Sequence, residues 1–568
     1  MTNNFNIANR LVEIAKQLPD KNAITECRKN GNHSLTFAEL NRDSDNIAEA
    51  MQLDGIGKGM RIALFVRYGI DFVSLFFALL KTGATTVLID PGMGIRRMLI
   101  CLAEIEPDGI VGVPAVHFVR LLMKHKFPKA KHNLTVGNRW LWKGMSLDKI
   151  RKQTQNPNQN NNQPPQTTKT NPDDIAAIIF TSGSTGSPKG VEFTHRIFDT
   201  QVNEIANHYG IKQDDVDLAC FPFFGLFDPA MGVTAIIPNI DPTKPAKADP
   251  AKLIKIANEH KITQAFASPA IWNRIGDYCN KMKNCPENKP DNCPNKNINT
   301  KEKSTCSIPT LVRAISAGAP VSAAILQKLK PFIHPQGEIF TPYGATESLP
   351  TASINATEIL NDTINKTNLG KGVCVGKKFP SISWTIIKIT DEPIPSFESA
   401  TILQNESIGE LVVTGLQVTK NYFNRPEANK LAKMIDQKNQ IWHRMGDVGY
   451  LDQNDRFWFC GRKSHRVETK EGTLFTIPCE SIFNQHKLVF RSALANSPNG
   501  IPRIFIEPIQ DKFPKTKKEK NKLIDELLEL GQQNNITKQI KEIRILHKFP
   551  VDIRHNVKIN RELLSTLR

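Results

Sequence analysis

A run of glycine and hydroxyl residues directly follows a short apolar segment near residue 180. Ala176–Phe180 has the composition of a buried strand, and it leads into Thr181, Ser182, Gly183, Ser184, Thr185, Gly186, Ser187, Pro188, Lys189 and Gly190. Glycines let a backbone turn its N–H groups toward an anion, and hydroxyl groups add further donors. Lys189 supplies a positive charge that suits a phosphate. The pattern therefore predicts a phosphate-binding loop, against the alternative of a flexible loop that binds nothing. It differs from a Walker A motif, because no Gly-Lys-Ser/Thr follows at the required spacing.

Further motifs follow in the second half of the chain. They are Ala317-Gly318-Ala319-Pro320, Thr341-Pro342-Tyr343-Gly344-Ala345-Thr346-Glu347, Gly409-Glu410-Leu411 with Val413-Thr414-Gly415, His443-Arg444-Met445-Gly446-Asp447-Val448-Gly449-Tyr450, and Gly461-Arg462-Lys463. With the phosphate loop, this ordered series resembles the adenylate-forming superfamily, which contains acyl-CoA synthetases, luciferases and peptide-synthetase adenylation domains. The resemblance covers almost the whole chain.

The resemblance implies a role for each of these positions, with ATP and Mg²⁺ as cofactors. The residues implied to bind the nucleotide are Thr181, Ser182, Gly183, Ser184, Thr185, Gly186 and Lys189 for the phosphates, Gly318, Ala319, Tyr343 and Gly344 for the adenine, and Asp447 and Arg462 for the ribose. The Thr346 hydroxyl is expected to meet the α-phosphate, and Glu347 to help hold magnesium. For Asp447 or Glu347 taken singly, a solvated surface carboxylate would be the ordinary interpretation.

The last catalytic group is expected from the C-terminal end of the chain. Superfamily members carry a lysine there that stabilises the carboxylate and phosphate oxygens during adenylation. Phe549-Pro550-Val551-Asp552-Ile553-Arg554-His555-Asn556-Val557-Lys558 matches that place, which makes Lys558 the candidate. The usual pattern has Ser-Gly before the lysine, whereas this chain has Asn556-Val557. A surface lysine in a lysine-rich tail is the alternative.

These roles are consistent with the chemistry. Joining a carboxylate to an α-phosphate brings two anions together, so magnesium and lysine must offset charge before bonds form. Alignment of the two reactants supplies much of the remaining rate gain.

The elements that position these motifs alternate between apolar runs and helical patterns. The runs at 62–66, 86–89, 109–113, 176–180, 234–238, 264–267 and 312–315 are typical of buried strands. Helical patterns at 71–81 and 252–258 separate them, which favours an α/β architecture with mostly parallel sheets. From Ser383 onward, strand-like segments with few helices between them predict a small β-rich subdomain. The last hundred residues or so mix strands with a charged helix near 517–530.

The expected organisation is therefore a large N-terminal domain, residues 1–462, and a small mobile α+β C-terminal lid domain, residues 463–568. Two stretches lack apolar periodicity and read as insertions. Residues 151–174 are rich in Asn, Gln and Pro and predict a mobile linker, and residues 280–305 predict a surface excursion.

The charge balance leaves several partners open. Lys and Arg number 74 against 56 Asp and Glu, a net charge of +18. The basic residues are spread through the chain without a recognisable nucleic-acid motif, so sequence-specific nucleic-acid binding is not expected. A basic surface that serves ATP, an anionic lipid-like substrate or peripheral membrane contact fits better. No transmembrane segment and no secretory signal are visible. The ten cysteines show no CxxC pair, which favours reduced thiols in a cytoplasmic protein.

Three local features indicate which branch of the superfamily the chain resembles. Acyl-CoA synthetases and luciferases commonly have Pro-Leu-Phe-His near the acyl pocket, and Gly225 stands where that histidine would fall. His465 stands at the usual hinge aspartate. The stretches 87–94 and 458–467 and the C-terminal motif are similar to one branch, the β-lactone synthetases of bacterial long-chain olefin biosynthesis. Both Gly225 and His465 could instead be simple packing substitutions.

That branch implies a substrate and a second step. A long-chain 2-alkyl-3-hydroxy fatty acid would be adenylated, and its own 3-hydroxyl would close a β-lactone with loss of AMP. Other enzymes of a hydrocarbon pathway are the partners it implies. The alternatives are a long-chain fatty acyl-CoA synthetase and a nucleotide-binding pseudo-enzyme or interaction protein. Every motif position that can be checked carries a chemically competent residue, which argues against the pseudo-enzyme.

Overall fold

The computed structural model describes residues 4–140, 142–154, 167–181, 187–221, 224–284, 306–496, 500–551 and 559–567. Its strands in chain order are β1 (Asn22–Arg28), β2 (Gly31–Thr36), β3 (Arg61–Phe65), β4 (Thr85–Ile89), β5 (Gly109–Gly112), β6 (His132–Thr135), β7 (Met145–Ser146), β8 (Ile175–Thr181), β9 (Lys189–Thr194), β10 (Val216–Ala219), β11 (Thr234–Ile237), β12 (Gln264–Ala267), β13 (Arg313–Ser316), β14 (Glu338–Ala345), β15 (Ser348–Asn355), β16 (Val373–Lys378), β17 (Ile382–Ile387), β18 (Gly409–Gly415), β19 (Lys433–Ile435), β20 (Ile441–Leu451), β21 (Arg456–Arg462), β22 (Val467–Thr469), β23 (Gly472–Leu474), β24 (Val489–Asn496), β25 (Pro502–Pro508) and β26 (Glu542–Ile545).

The α-helices of the same residues, in chain order, are α1 (Asn9–Gln17), α2 (Phe37–Leu53), α3 (Ile70–Lys81), α4 (Ile95–Ile105), α5 (Pro114–Leu122), α6 (Leu147–Thr154), α7 (His195–Tyr209), α8 (Asp228–Met231), α9 (Pro250–Glu259), α10 (Pro269–Lys283), α11 (Ala323–Leu329), α12 (Ala356–Glu358), α13 (Ile364–Asn368), α14 (Pro426–Ala432), α15 (Thr476–Phe483), α16 (Lys517–Gln532) and α17 (Arg561–Ser565).

A seven-stranded sheet carries the predicted phosphate loop at its edge. Among the described residues its order is β7-β6-β5-β3-β4-β8-β9. Its pairs are parallel except β8 and β9, which are antiparallel. The apolar runs near 62, 86, 109 and 176 are its strands β3, β4, β5 and β8. These predictions are confirmed, and the reason is that parallel strands covered on both faces are apolar on both.

A fourteen-stranded sheet carries the other motifs. Its order is β17-β18-β20-β21-β16-β15-β14-β13-β12-β10-β11-β1-β2, with β19 paired to β20. The strands from β14 to β1 are parallel, and those from β14 to β17 are antiparallel. The predicted β-rich subdomain is therefore present, and its strands continue the parallel sheet through β14, β15 and β16. This confirms the α/β fold class.

The largest hydrophobic cluster lies between the two sheets. Helix α3 is buried along nearly its whole length, and it packs with apolar residues of both sheets, such as Ile62 and Ala235. Its last residue, Lys81, is only 2% exposed, and its ammonium pairs with Asp45 at 2.6 Å. A second cluster lies on the other face of the seven-stranded sheet, under α4 and α5. Apolar clusters pack on both faces of this sheet, which explains why the sequences of its strands are continuous apolar runs.

The ends of the predicted linker 151–174 are folded, which corrects that prediction in part. Arg151 belongs to α6 and forms ion pairs with Asp43 at 2.7 Å and with Asp71 at 2.6 Å. Thr168 donates its backbone N–H to the Lys81 carbonyl at 2.8 Å. Hydrogen bonds to neighbouring elements thus order a polar segment that has no apolar face of its own. Residues 155–166 lie outside the described residues, as do 285–305 of the second stretch, whose first residues end α10.

The residues after Arg462 have a hydrophobic cluster of their own. Strands β22 and β23 form a hairpin, and β24, β25 and β26 form a three-stranded sheet. Helix α16, the predicted charged helix, begins with a capping box in which Thr516 and Glu519 exchange hydrogen bonds. It packs Leu523 and Leu527 onto this sheet.

Within the described residues, no helix combines the length and the apolar character needed to span a membrane. The free, buried cysteines of the described residues include Cys27, Cys101, Cys220, Cys279, Cys374, Cys460 and Cys479.

Candidate active site

The phosphate-loop residue Lys189 begins the edge strand β9. Thr181 and Lys189 form the last pair of the β8–β9 hairpin. A distant segment joins this edge, because Tyr422 bridges to Val191 and the Phe423 N–H donates to the Gly190 carbonyl at 2.7 Å. The Lys189 ammonium consequently lies 4.7 Å from the centre of the Tyr422 ring. The predicted loop residues between the two strands, Ser182, Gly183, Ser184, Thr185 and Gly186, lie outside the described residues.

The second motif forms the turn between β14 and β15. Tyr343 stands opposite Ala352 in this hairpin, and Thr346 and Glu347 form its tip. Gly344 is required here, because a Cβ at this position would lie 2.5 Å from the Ser348 carbonyl oxygen. The turn holds Glu347 close to Tyr422, whose hydroxyl donates to Glu347 Oε1 at 2.6 Å.

Asp447 and Arg462 face each other across two antiparallel strands. They are a register pair of β20 and β21, and Arg462 Nη1 lies 2.9 Å from Asp447 Oδ1. The Tyr343 hydroxyl donates to the other oxygen, Oδ2, at 2.5 Å. Burial raises the pKa of Asp447, while the Arg462 charge and the tyrosine hydroxyl oppose that shift. Three residues predicted separately thus form one hydrogen-bonded and ion-paired group.

A buried ion pair fixes the strand that carries Asp447. Arg444 on β20 and Glu410 on β18 are 2% and 1% exposed, and their side chains meet at 2.6 Å. Lys463 also reaches Glu410, at 3.3 Å. Arg466 binds Asp391 at 2.5 Å, so the segment that follows Arg462 is tied to the large sheet. Glu410 of the Gly409-Glu410-Leu411 motif therefore holds in place the strand that carries Asp447.

Gly318 and Ala319 lie in the loop after β13, where the adenine-binding segment was predicted. Strand β13 is parallel to β14, with Ile315 opposite Phe340, so this loop and Tyr343 share one edge of the sheet. Gly318 has a φ of +89°, a left-handed conformation that glycine adopts without strain. The sequence prediction that these two motifs are neighbours agrees with this register.

Sequence reasoning missed a second lysine. The Lys433 ammonium lies 5.6 Å from the centre of the Tyr422 ring and donates to the Thr419 carbonyl at 2.5 Å. Burial lowers the pKa of Lys433 to about 7, against the opposing charge of Glu347. The buried ring of His443, which donates through Nδ1 to the Ala432 carbonyl at 3.1 Å, has a pKa well below its usual range. Burial is the main cause, and the Lys433 charge adds to it.

Gly225 follows β10 and lies against Tyr68. A Cβ at this position would lie 2.8 Å from Tyr68 Cζ and closer still to Oη, so no larger residue fits without movement. Asp217 and Asp228 are buried beside Tyr68, and burial raises the pKa of Asp217 to about 7. A side-chain hydrogen bond joins Asp217 and Asp228, whereas the Tyr68 hydroxyl has no hydrogen-bond partner among the described residues.

A family model for an AMP-binding enzyme matches residues 11–423. The chain belongs to the AMP-binding enzyme family. Two full-length relatives agree. An olefin beta-lactone synthetase of Xanthomonas campestris pv. campestris is 38% identical over 100% of this chain and 98% of that protein. One of Stenotrophomonas maltophilia is 36% identical over 99% and 97%.

A solved structure confirms the fold. O-succinylbenzoate coenzyme A synthetase of Bacillus subtilis, in complex with AMP, superposes with a TM-score of 0.70 at 19% identity, covering 99% of this chain and 98% of that one. The predicted resemblance to adenylate-forming enzymes and the prediction of an adenylate-forming ligase are both confirmed. As an AMP-binding enzyme, the protein takes an adenine nucleotide.

The side chains at this site suit a divalent cation that is bound mainly through the oxygen atoms of a substrate rather than by the protein. No group of three or more His, Cys, Asp or Glu residues converges on one point in the described part of this AMP-binding enzyme. Glu347 offers one carboxylate, and Mg²⁺ often takes one carboxylate together with substrate phosphates and water. Lys558 lies outside the described residues. The residues that flank it, Val551 and Ile559, form an antiparallel bridge.

Proposed function

We propose that the protein is a β-lactone synthetase. With ATP and Mg²⁺ it converts the carboxylate of a long-chain 2-alkyl-3-hydroxy fatty acid into an acyl-adenylate, and pyrophosphate leaves. The 3-hydroxyl oxygen of the same molecule then attacks the acyl carbon and loses its proton, and AMP leaves as the four-membered ring closes. The observation that carries this proposal is the 38% identity, over the whole length of both chains, to an olefin beta-lactone synthetase.

Asp447, Arg462 and Tyr343 would bind the ribose and the base. The contact between Asp447 Oδ1 and Arg462 is an ion pair without hydrogen-bond geometry. This buried oxygen can therefore still accept a hydrogen bond. A ribose hydroxyl supplies the donor that such an oxygen lacks. The Tyr343 hydroxyl, now bound to Asp447, would keep the carboxylate in place while the ring packs on the base.

Lys189, Lys433 and Glu347 would form the phosphate side of the site, next to the Thr346 hydroxyl. Both ammonium groups lie within cation–π distance of the same tyrosine, so their positions are fixed before a ligand binds. Bound Mg²⁺ would offset phosphate charge at Glu347. Lysine charges held in place stabilise negative charge that develops on the phosphate oxygens in the transition state.

Gly225 supports ring closure over transfer to coenzyme A. The space that a histidine would need here is filled by Tyr68, so the residue common in acyl-CoA synthetases has no room in this chain. A tethered hydroxyl needs no second substrate, and a well-placed intramolecular group offsets several kcal/mol of barrier. The Tyr68 hydroxyl beside Gly225, which has no partner among the described residues, suits a hydroxylated acid better than a plain alkyl chain.

Residues 463–568 would act as a separate lid domain that brings Lys558 to the site. Their own hydrophobic cluster supports this division. The ion pairs of Lys463 and Arg466 with residues of the large domain support a hinge in the segment that follows Arg462. His465, in this hinge, has its pKa lowered to about 4, chiefly by burial and then by Arg561, so it is uncharged at neutral pH.

Product identification tests the reaction. Purified enzyme is incubated with ATP, Mg²⁺ and a 2-alkyl-3-hydroxy acid without coenzyme A, and the products are analysed by mass spectrometry and NMR. A β-lactone and AMP are expected, and an acid without the 3-hydroxyl should stop at the acyl-adenylate. Efficient formation of acyl-CoA from a plain fatty acid, with no lactone from the hydroxy acid, would overturn the proposal in favour of an acyl-CoA synthetase.

Three substitutions test the residue roles. Glu347→Ala and Lys558→Ala should abolish acid-dependent pyrophosphate release, whereas Asp447→Ala should mainly weaken ATP binding. Lys420→Ala is the control, because this lysine is 53% exposed and pairs with the surface residue Asp173. Pyrophosphate release at the wild-type rate from Lys558→Ala would refute its role.

A further inference from the structure

The outer face of helix α5 is apolar, the reverse of what a solvent-facing helix requires. Val116 and Met123 turn toward the cluster under the seven-stranded sheet, and the buried His117 ring lies 3.0 Å from the Leu134 carbonyl. The opposite side presents Phe118, Leu121 and Leu122, which are 54%, 43% and 68% exposed. Isolated exposed apolar residues are ordinary, but three on one helical face form a patch.

An exposed tryptophan extends this patch. Trp140 lies in the segment after β6 and is 67% exposed. Its ring centre lies 6.1 Å from that of Trp142, which in turn lies 5.6 Å from that of His117 on α5. The aromatic chain thus connects Trp140 to the same side of the molecule as α5.

The charges around the patch have one sign. The thirty residues 114–143 contain Arg120, Lys124, Lys126, Lys129, Lys131, Arg139 and Lys143 and not one Asp or Glu. Lys124, Lys126, Arg139 and Lys143 are exposed. Within this stretch Lys129 is neutralised by Glu106 of the preceding segment, at 2.6 Å. We define the docking face by its apolar and basic members, which are Phe118, Leu121, Leu122, Trp140, Lys124, Lys126, Arg139 and Lys143.

We propose that the docking face binds the surface of an anionic phospholipid bilayer. Leucine and phenylalanine side chains on an exposed helix would enter the boundary between headgroups and acyl chains. Tryptophan is favoured at this depth, and the long basic side chains reach lipid phosphates from beside the apolar residues. Each basic residue near an anionic surface adds to the attraction.

The composition favours a lipid surface over a protein. Protein interfaces are depleted in lysine, whereas three of the four basic members here are lysines. Three of the four apolar members also lie on the outer side of α5, whose other side is packed. The face lies away from Lys189, Tyr343 and Asp447, because α5 covers the side of the seven-stranded sheet opposite to α3 and the large sheet. Membrane binding and nucleotide binding can therefore occur together.

Vesicle co-sedimentation of the full-length protein tests the proposal. The vesicles are phosphatidylcholine alone and phosphatidylcholine with an equal part of phosphatidylglycerol, each at about 0.1 M and about 1 M salt, where screening differs strongly. Binding is expected on the anionic vesicles at low salt and should weaken at high salt. The variant Lys124→Gln/Lys126→Gln/Arg139→Gln should lose about tenfold or more in partition coefficient. Phe118→Ser/Leu122→Ser should lose a similar factor on the same vesicles.

Matched controls stand elsewhere on the surface. Leu53→Ser/Leu369→Ser removes two apolar side chains that are 85% and 63% exposed. Lys517→Gln/Lys518→Gln/Lys522→Gln removes three exposed charges from α16. Both should bind vesicles as the wild type does. Lactone formation from detergent-dispersed substrate should be unchanged in all four variants, so the outcome is independent of the proposed reaction.

Three results would overturn the proposal. The first is equal binding to neutral and anionic vesicles, and the second is equal loss in control and docking-face variants. The third is no vesicle binding together with a molar mass by light scattering that the docking-face variants reduce, which would assign this face to contact between protein chains. If the docking face binds the membrane, vesicles should shift the tryptophan emission to shorter wavelength, and Trp140→Phe should remove most of that shift.

Discussion

Enlarging residue 225 should destabilise the protein through Tyr68. In Gly225→Ala the new Cβ would lie 2.8 Å from Tyr68 Cζ and 3.2 Å from Ala219 Cβ, with the tyrosine Oη closer than either. Carbon atoms pack at about 3.5–4.0 Å, so the ring must retreat by roughly 1 Å. The ring cannot move freely, because it meets Phe72 edge-on with ring centres 6.0 Å apart.

Overpacking of this kind costs about 1–3 kcal/mol. At about 2–4 °C per kcal/mol for a large domain, the melting temperature should fall by about 2–12 °C. Differential scanning fluorimetry measures the change, with Gly57→Ala as the control, because a Cβ at Gly57 meets nothing within 4 Å. Lactone yield should fall in step with any movement of Tyr68.

A double-mutant cycle with Tyr68→Phe decides whether the tyrosine is responsible. This change removes Oη, so Gly225→Ala should cost less in the Tyr68→Phe background than in the wild type. An unchanged melting temperature for Gly225→Ala would show that the space is not filled, and an equal cost in both backgrounds would assign the strain to another neighbour. Either result would remove the structural argument that the acyl-CoA synthetase histidine has no room.

Three further outcomes are expected. Lys433→Met should slow acid-dependent pyrophosphate release by about tenfold or more, since the phosphate side loses an amine that a bound phosphate would hold in its charged form, whereas the exposed Lys420→Met should match the wild type. The folded state holds the Asp217 proton up to about pH 7, whereas the unfolded chain releases it near pH 4. The free energy of unfolding should therefore decrease as the pH rises from about 4 to about 7. Asp217→Asn should flatten that decrease in a series of melting temperatures against pH, and an unchanged slope would contradict the assignment to Asp217. Deletion of residues 155–166 should leave the melting temperature and ATP turnover nearly unchanged, and loss of soluble protein would show that the segment packs on the domain.

The parallel core was predictable from the sequence, but the antiparallel half was predictable only in part. Strands such as β3 and β12 are apolar on both faces because helices or a second sheet cover both, so they stand out in the sequence. Strands β14 and β15 carry polar site residues at their turn and lack this signal. The resemblance supplied Tyr343 and Asp447, and the register then explains why they meet.

Tyr422 and Lys433 could not have been found from local pattern. Tyr422 reaches Lys189 only because its segment bridges to β9, more than two hundred residues earlier in the chain. Lys433 lies in β19, whose sequence is that of an ordinary short strand, and its low pKa arises from burial beside that same tyrosine. Such a cluster depends on long-range pairing, which no sequence period records. The folded ends of the 151–174 stretch were missed for a related reason, because individual hydrogen bonds hold them rather than an apolar face.

The cross-strand pairing of Asp447 and Arg462 also limits which insertions and deletions these strands can tolerate. Side chains alternate between the two faces of a strand, and the register of these two strands already shifts by one residue between Val448 and Gly449, next to the pair. A further residue inserted or deleted between Asp447 and Arg462 has to be absorbed by a bulge of this kind, or the carboxylate and the guanidinium turn to opposite faces. Substitutions along these strands leave the pairing intact, whereas a change in length is tolerated most readily in the turn that joins them.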